Sequence, residues 1–171
     1  MITIRSGGQT GVDRAALHVA VALGIRYGGW CPNGGWAEDS PTPPGVRARY
    51  PLLVETPSAD PRQRTAWNVR DSDATILMVK GDSPDSPGTE FTRVCAELIF
   101  QRPIFVVQVD ERQSVIDAQR WLSNLVDEKP ATTFALNVDG PRESEIPGIA
   151  TFASAVLREI LVIAVPIEQR S

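Results

Sequence analysis

The residues of this sequence that could do chemistry fall into four short polar clusters. The first is Ser6-Gly7-Gly8-Gln9-Thr10-Gly11, followed directly by Val12, Asp13 and Arg14. Glycines in such a run let the backbone take positive φ and come close to a ligand, and the free amides of a following helical turn attract an anion. The second cluster, from Trp30 to Glu38, pairs tryptophans with glycines; the third, from Gly81 to Thr92, holds Gly88, Thr89 and Thr92, and the fourth, from Asn137 to Ser144, holds Asn137, Asp139 and Arg142. Hydroxyls and amides donate to phosphate oxygens, and a guanidinium can clamp the same anion through two parallel bonds. The chemistry this suits is recognition of a small phosphorylated ligand. Asp13, Glu38, Asp73, Glu90 and Glu143 are candidate bases, but none stands at a diagnostic spacing from a nucleophile, so no catalytic residue is assigned. Asp13 and Arg14 read better as helix-start and packing residues.

Each cluster needs an element to carry it. Residues 1–5 alternate and are rich in β-branched side chains, which predicts a strand; residues 12–23 have helical spacing, with Val12, Ala15, Ala16, Val19 and Leu23 on one face and Leu17 and Val21 nearly opposite. Such a helix should be buried on two sides. His18, the lone histidine, faces away from the main stripe and suits a surface or interface position. Gly24 caps this helix and a weak strand covers 25–30. Residues 31–51 show no period. Trp30 and Trp36 at their start could stack on a flat heterocycle or pin the segment to the core. A short strand at 52–55 precedes a helix over 62–70, with Asp60 as N-cap and Pro61 in the first helical position. Arg64 and Asn68 share a face of it, read as solvated, with contact to a bound anion as the alternative.

The apolar run 74–79 predicts a central buried strand, 91–101 a helix with Val94, Cys95, Leu98 and Ile99 inward, 103–109 a strand, 114–126 a helix and 132–138 the last strand. The final helix, 149–165, is apolar almost all round, which predicts a subunit interface. Strands alternating with helices imply one α/β domain over 1–171 with a doubly wound, mostly parallel sheet and helices on both faces. In such a sheet ligands bind beyond the carboxyl ends of the strands, where all four clusters should gather.

Composition narrows the function. A net charge of −4 argues against nucleic acid as a partner, and no apolar run reaches the length of a membrane span. No signal-peptide pattern opens the chain, and Cys31 and Cys95 are too few for a disulfide framework or a zinc site, so a cytoplasmic protein is expected. The first cluster is neither a Walker A loop nor Gly-x-Gly-x-x-Gly, which weakens triphosphatase and dinucleotide readings.

Several segments carry a resemblance. Ser6-Gly7-Gly8-Gln9-Thr10-Gly11-Val12-Asp13-Arg14-Ala15-Ala16-Leu17, Gly28-Gly29-Trp30-Cys31-Pro32, Glu55-Thr56-Pro57-Ser58-Ala59-Asp60, Arg62-Gln63-Arg64-Thr65, Trp67-Asn68-Val69-Arg70-Asp71-Ser72-Asp73-Ala74-Thr75 and Leu136-Asn137-Val138-Asp139-Gly140-Pro141-Arg142-Glu143-Ser144 resemble the molybdenum-cofactor carrier family. That family is Rossmann-like and related to the lysine-decarboxylase-like LOG phosphoribohydrolases and the DNA-processing protein DprA. The resemblance implies a noncatalytic homotetramer that binds molybdenum cofactor, a pterin with a dithiolene and a terminal phosphate, and protects it or delivers it to molybdoenzymes or cofactor-synthesis proteins. It also implies that Ser6, Gly7, Gly8, Gln9, Thr10 and Gly11 hold one anionic part of the ligand, that Gly88, Thr89 and Thr92 hold another, and that Asn137 and Arg142 close the site. One departure stands out: relatives show Gly-Gly-Thr in the second loop, whereas Pro87 here precedes Gly88-Thr89 and removes a backbone donor. The LOG motif Pro-Gly-Gly-x-Gly-Thr-x-x-Glu is also incomplete, with Glu90 displaced. A LOG-like nucleoside-monophosphate phosphoribohydrolase and a nucleotide-sensing module are the alternatives.

Overall fold

A computed structural model describes residues 1–81, 86–129 and 133–164. Residues 82–85 of the polar stretch after the 74–79 strand, Thr132 of the last predicted strand and Val165 of the last predicted helix lie outside the described residues. The elements are β1 (Ile2–Arg5), α1 (Val12–Ala22), β2 (Arg26–Gly28), β3 (Trp30–Cys31), β4 (Val54–Glu55), α2 (Pro61–Arg70), β5 (Ala74–Val79), α3 (Pro87–Val94), β6 (Ile104–Gln108), α4 (Arg112–Asp127), β7 (Phe134–Asp139) and α5 (Ile149–Ala164).

Five strands form one parallel sheet in the order β2-β1-β7-β5-β6, so the last strand in sequence sits at the centre. The expected α/β, Rossmann-like, doubly wound arrangement is what the chain adopts. On one face Ile2, Ile4, Ile76, Met78, Leu136 and Val138 pack against α1, α4 and α5 in the main apolar core. The opposite face is covered by α2 and α3, where the apolar cluster is small: Val69, Cys95 and Ala96, flanked by Ala66, Phe91, Phe100 and Ile104.

The predicted strand over 25–30 breaks in two. Gly29 takes φ 128°, and a methyl group there would lie 2.4 Å from the Ser6 carbonyl oxygen, so only glycine lets the chain leave the main sheet at this point. It then pairs β3 with β4 in a two-stranded parallel ribbon. The aperiodic segment that follows is packed, not loose: Ala37, Val46 and Tyr50 join Leu17, Cys31 and Leu53 in a second core. Leu17 thus meets the expectation of two-sided burial for α1, whereas Val21 is 55% exposed.

Two expectations about the third helix are corrected. The third helix starts at Pro87 instead of 91, because Ser86 caps it by accepting the Thr89 amide and proline suits the first turn. It passes at Cys95–Ile99 into a π-helical turn, whose wider spacing rotates the face. Cys95 stays buried, but Leu98 and Ile99 are 71% and 55% exposed instead of inward. In α5, six apolar residues from Ile149 to Leu161 are buried within the chain's own core, while Phe152 stays exposed with the Lys80 ammonium over its ring. Coverage by α1 and α4 therefore accounts for most of its apolar surface. Among the described residues no helix is long and apolar enough to cross a membrane.

Candidate functional site

The loops leaving β1, β7 and β5 part to opposite faces, to α1 and α5 on one side and α3 on the other. A crevice must open where they separate. The structure has a cavity of about 370 Å³ there, walled by Gln9, Arg62, Arg64, Gly88, Phe91 and Arg142 together with Asp60, Asp139 and Glu145.

Its floor is a buried ion cluster. Arg64 Nη1 lies 2.9 Å from Asp13 Oδ2 and 3.7 Å from Asp139 Oδ2, and all three side chains are at most 8% exposed. Thr92 Oγ1 donates to Asp139 Oδ2 at 2.9 Å, and the Gly140 amide donates to Asp139 Oδ1 at 2.7 Å. Burial pushes the Asp13 carboxyl up and Asp139 adds to this, while Arg64 and the Gln9 amide pull it down; the balance lies at about 7. The solvated face expected for Arg64 and Asn68 is thus overturned. Arg64 is 7% and Asn68 0% exposed, because the sheet face beneath α2 is polar and supplies partners. Asn68 accepts the Trp30 amide (2.8 Å) and donates to the Trp30 carbonyl (2.9 Å), standing in for a neighbouring strand.

The glycines of the first loop are required by close approach. A methyl group at Gly7 would lie 2.1 Å from Arg64 Nη1, and one at Gly11 would lie 2.3 Å from the Pro141 carbonyl. Gly8, at φ 76°, sits under Leu53 and Val46. Protein acceptors already engage several amides here: Gln9 N donates to Asp13 Oδ2, Thr10 N to Gln9 Oε1, and Val12 N to the Pro141 carbonyl. Ser6 Oγ donates to the Asp13 carbonyl. Glu38 binds three segments together, accepting from Thr10 Oγ1 and Ser144 Oγ while its own amide donates to Gln9 Oε1. Burial alone would raise its carboxyl, but those hydroxyls and Arg142 nearby hold it below the usual carboxylate range.

Of the residues singled out in the sequence, Gln9, Gly88 and Arg142 line the cavity. Ser6, Gly7, Gly8, Thr10 and Gly11 form the packed turn behind it, and Thr89, Thr92 and Asn137 are buried near or beneath it. Asn137 Nδ2 is 3.4 Å from Thr75 Oγ1, and its Oδ1 has no hydrogen-bond partner among the described residues. Trp30 is turned elsewhere: its Nε1 donates to Asp71 Oδ2 at 2.8 Å and its ring meets Trp67 edge to face. Trp36 is the tryptophan nearer the crevice, lying beneath the Arg142 guanidinium (5.7 Å) and lining a neighbouring groove with Pro41, Pro43 and Pro61. Asp139 falls inside the fourth polar cluster and Arg62 inside a segment of the resemblance, but neither is among the expected site residues, nor is Phe91; the Arg62 to Phe91 contact joins two helices and leaves no local trace.

The wall's charges divide by partner. Asp60 caps α2 through the Arg62 amide, Glu145 accepts the Arg142 amide, and Asp139 is held as described. The Arg62 guanidinium rests on the Phe91 ring at 4.6 Å and that of Arg142 over Trp36, and among the described residues neither is ion-paired. Both forks therefore keep N–H groups for an incoming anion. Among the described residues no group of three or more His, Cys, Asp or Glu side chains is placed to hold a metal ion.

A family model described as the circularly permutated YpsA SLOG family matches residues 4–161. A crystal structure from Syntrophus aciditrophicus SB, named "Putative molybdenum carrier protein", is similar over 96% of this chain and 94% of its own, at 33% identity and a TM-score of 0.75. No curated protein matches. The chain belongs to the circularly permutated YpsA SLOG family.

Proposed function

We propose that this member of the YpsA SLOG family binds molybdenum cofactor in the crevice at the carboxyl ends of β1, β5 and β7, and protects and delivers it without transforming it. The observation that carries this reading is the pair of unpaired guanidiniums, Arg62 and Arg142, facing one cavity above the buried Arg64. They suit a terminal phosphate, with the α3 start at Gly88 and Thr89 as a second anionic contact. Trp36 and its prolines offer a flat apolar shelf next to that cavity for the pterin ring. The turn from Ser6 to Gly11 shapes the wall from behind. The similar protein from Syntrophus, by its name, supports the choice of ligand. Glu90 does not line the cavity and pairs with Arg93, which favours a carrier over a phosphoribohydrolase.

Purified protein should retain a fluorescent pterin on release, or bind supplied molybdenum cofactor. Arg142→Ala should weaken that binding about tenfold, the value of one charge-assisted contact. No pterin and no binding would remove the reading; free adenine from AMP would replace it with the hydrolase, and stabilisation by a nucleotide alone with the sensing module. The proposal includes a homotetramer, to be read by light scattering, and transfer to molybdoenzymes or cofactor-synthesis proteins.

A further inference from the structure

A second groove, of about 360 Å³, runs between α1 and α5 on the side of α1 away from the sheet, and it is lined by Arg14, His18, Arg49, Arg158, Thr151 and Ser154 with small alanines between them. No carboxylate lines it. In a chain of net charge −4, this places three arginines and the one histidine on a single concave surface. Their spacing explains the convergence. Arg14 and His18 lie one turn apart on α1, and Thr151, Ser154 and Arg158 follow at three and four residues on α5, so each helix presents one polar stripe to the same gap. Arg49 enters from the turn after Gly45–Ala48.

Two of the guanidiniums are fixed before any ligand arrives. Those of Arg14 and Arg49 lie 6.0 and 5.7 Å from the centre of the same Tyr50 ring, which is 3% exposed. Arg14 is further held by Asp39 (2.9 Å) and by the Gly8 carbonyl. Arg49 and Arg158 have no ion pair among the described residues. Asp39 neutralises Arg14, but Arg49 and Arg158 face the concave surface with hydroxyls beside them and no acid partner among the described residues, and such a pair attracts a multiply charged anion. The groove is a compact pocket, not a long basic stripe, and the chain is acidic overall, which does not suit nucleic acid.

We propose that this groove is a second anion site that takes a small polyphosphate, with Arg49 and Arg158 as its principal contacts. His18 makes the test direct, because it is the one imidazole in the sequence and its proton resonances need no assignment. Inorganic pyrophosphate titrated into the full chain should shift those resonances saturably. Arg49→Ala with Arg158→Ala should weaken that response about tenfold or more, the loss expected for charge-assisted contacts, while Arg142→Ala in the crevice leaves it unchanged. Circular dichroism on the double variant checks its fold, and Arg49→Lys with Arg158→Lys should retain part of the binding. Resonances that do not move would overturn the proposal. So would an equal shift in the alanine variant, which marks an adventitious ion only, loss of the response in Arg142→Ala, or a change in oligomeric state on removing the two arginines, which would assign the cations to a second copy.

Discussion

Beneath α1, α4 and α5 the sheet offers Ile4, Ile76, Leu136 and Val138, and contact is made through methyl groups; beneath α2 and α3 it offers Thr75, Asn137 and Asp139, which meet Arg64 and Thr92. The first face is held by exclusion of water, which is insensitive to pH and forgiving in direction. The second is held by charges and hydrogen bonds that must be paired in place. The cavity proposed to take the ligand opens against the second, the face whose stability depends on specific partners.

The sharpest way to break this contrast is Arg64→Ala. It leaves the buried Asp13 and Asp139 side chains facing each other without their cation, and the expected loss is about 3–5 kcal/mol in denaturant unfolding. Adding Asp13→Asn should recover part of it, because one stranded charge is removed. On the opposite face Ile76→Ala, which leaves a cavity in a fully buried position, should cost about 2–5 kcal/mol. That loss should be the same across pH, while the Arg64→Ala loss should vary with it.

The pH dependence of the parent protein has a definite sign. Asp13 holds its proton up to about 7 when folded against an ordinary value of 3.8, so between these limits the folded state carries a proton that the unfolded chain has released. Stability present below about pH 4 is therefore lost as pH rises toward 7, with a slope of at most about 1.4 kcal/mol per pH unit. Asp13→Asn should flatten that part of the curve; an unchanged slope would assign it to other groups. The smallest effect belongs to the cavity's lip, where Ser86→Ala removes the cap of α3 and should cost about 1 kcal/mol by thermal unfolding.

The contrast between faces also separates what could be read in the sequence from what could not. Apolar periodicity found the strands, the α1 stripe and the core position of Cys95, because burial against methyl groups leaves a repeating mark. It misplaced Leu98 and Ile99, since a π-helical turn shifts the face by one residue without a compositional sign. Arg64 and Asn68 look in sequence like any solvated pair; only the polar underside they meet, built from strands far away in the chain, makes them interior. The four polar clusters do converge on one edge. Yet Trp36 instead of Trp30 stands beside the cavity, because the turn at Gly29 carries Trp30 to Asn68 and Asp71.

Gly7 leaves a space that Arg64 fills. A methyl group at position 7 would lie only 2.1 Å from the guanidinium, so Arg64 would have to move from its place between Asp13 and Asp139 to admit it. The residues at 7, 13, 64 and 139 are thereby coupled: a side chain at 7 presses on the Arg64 guanidinium, and any shift of that guanidinium loosens its hold on the acids at 13 and 139.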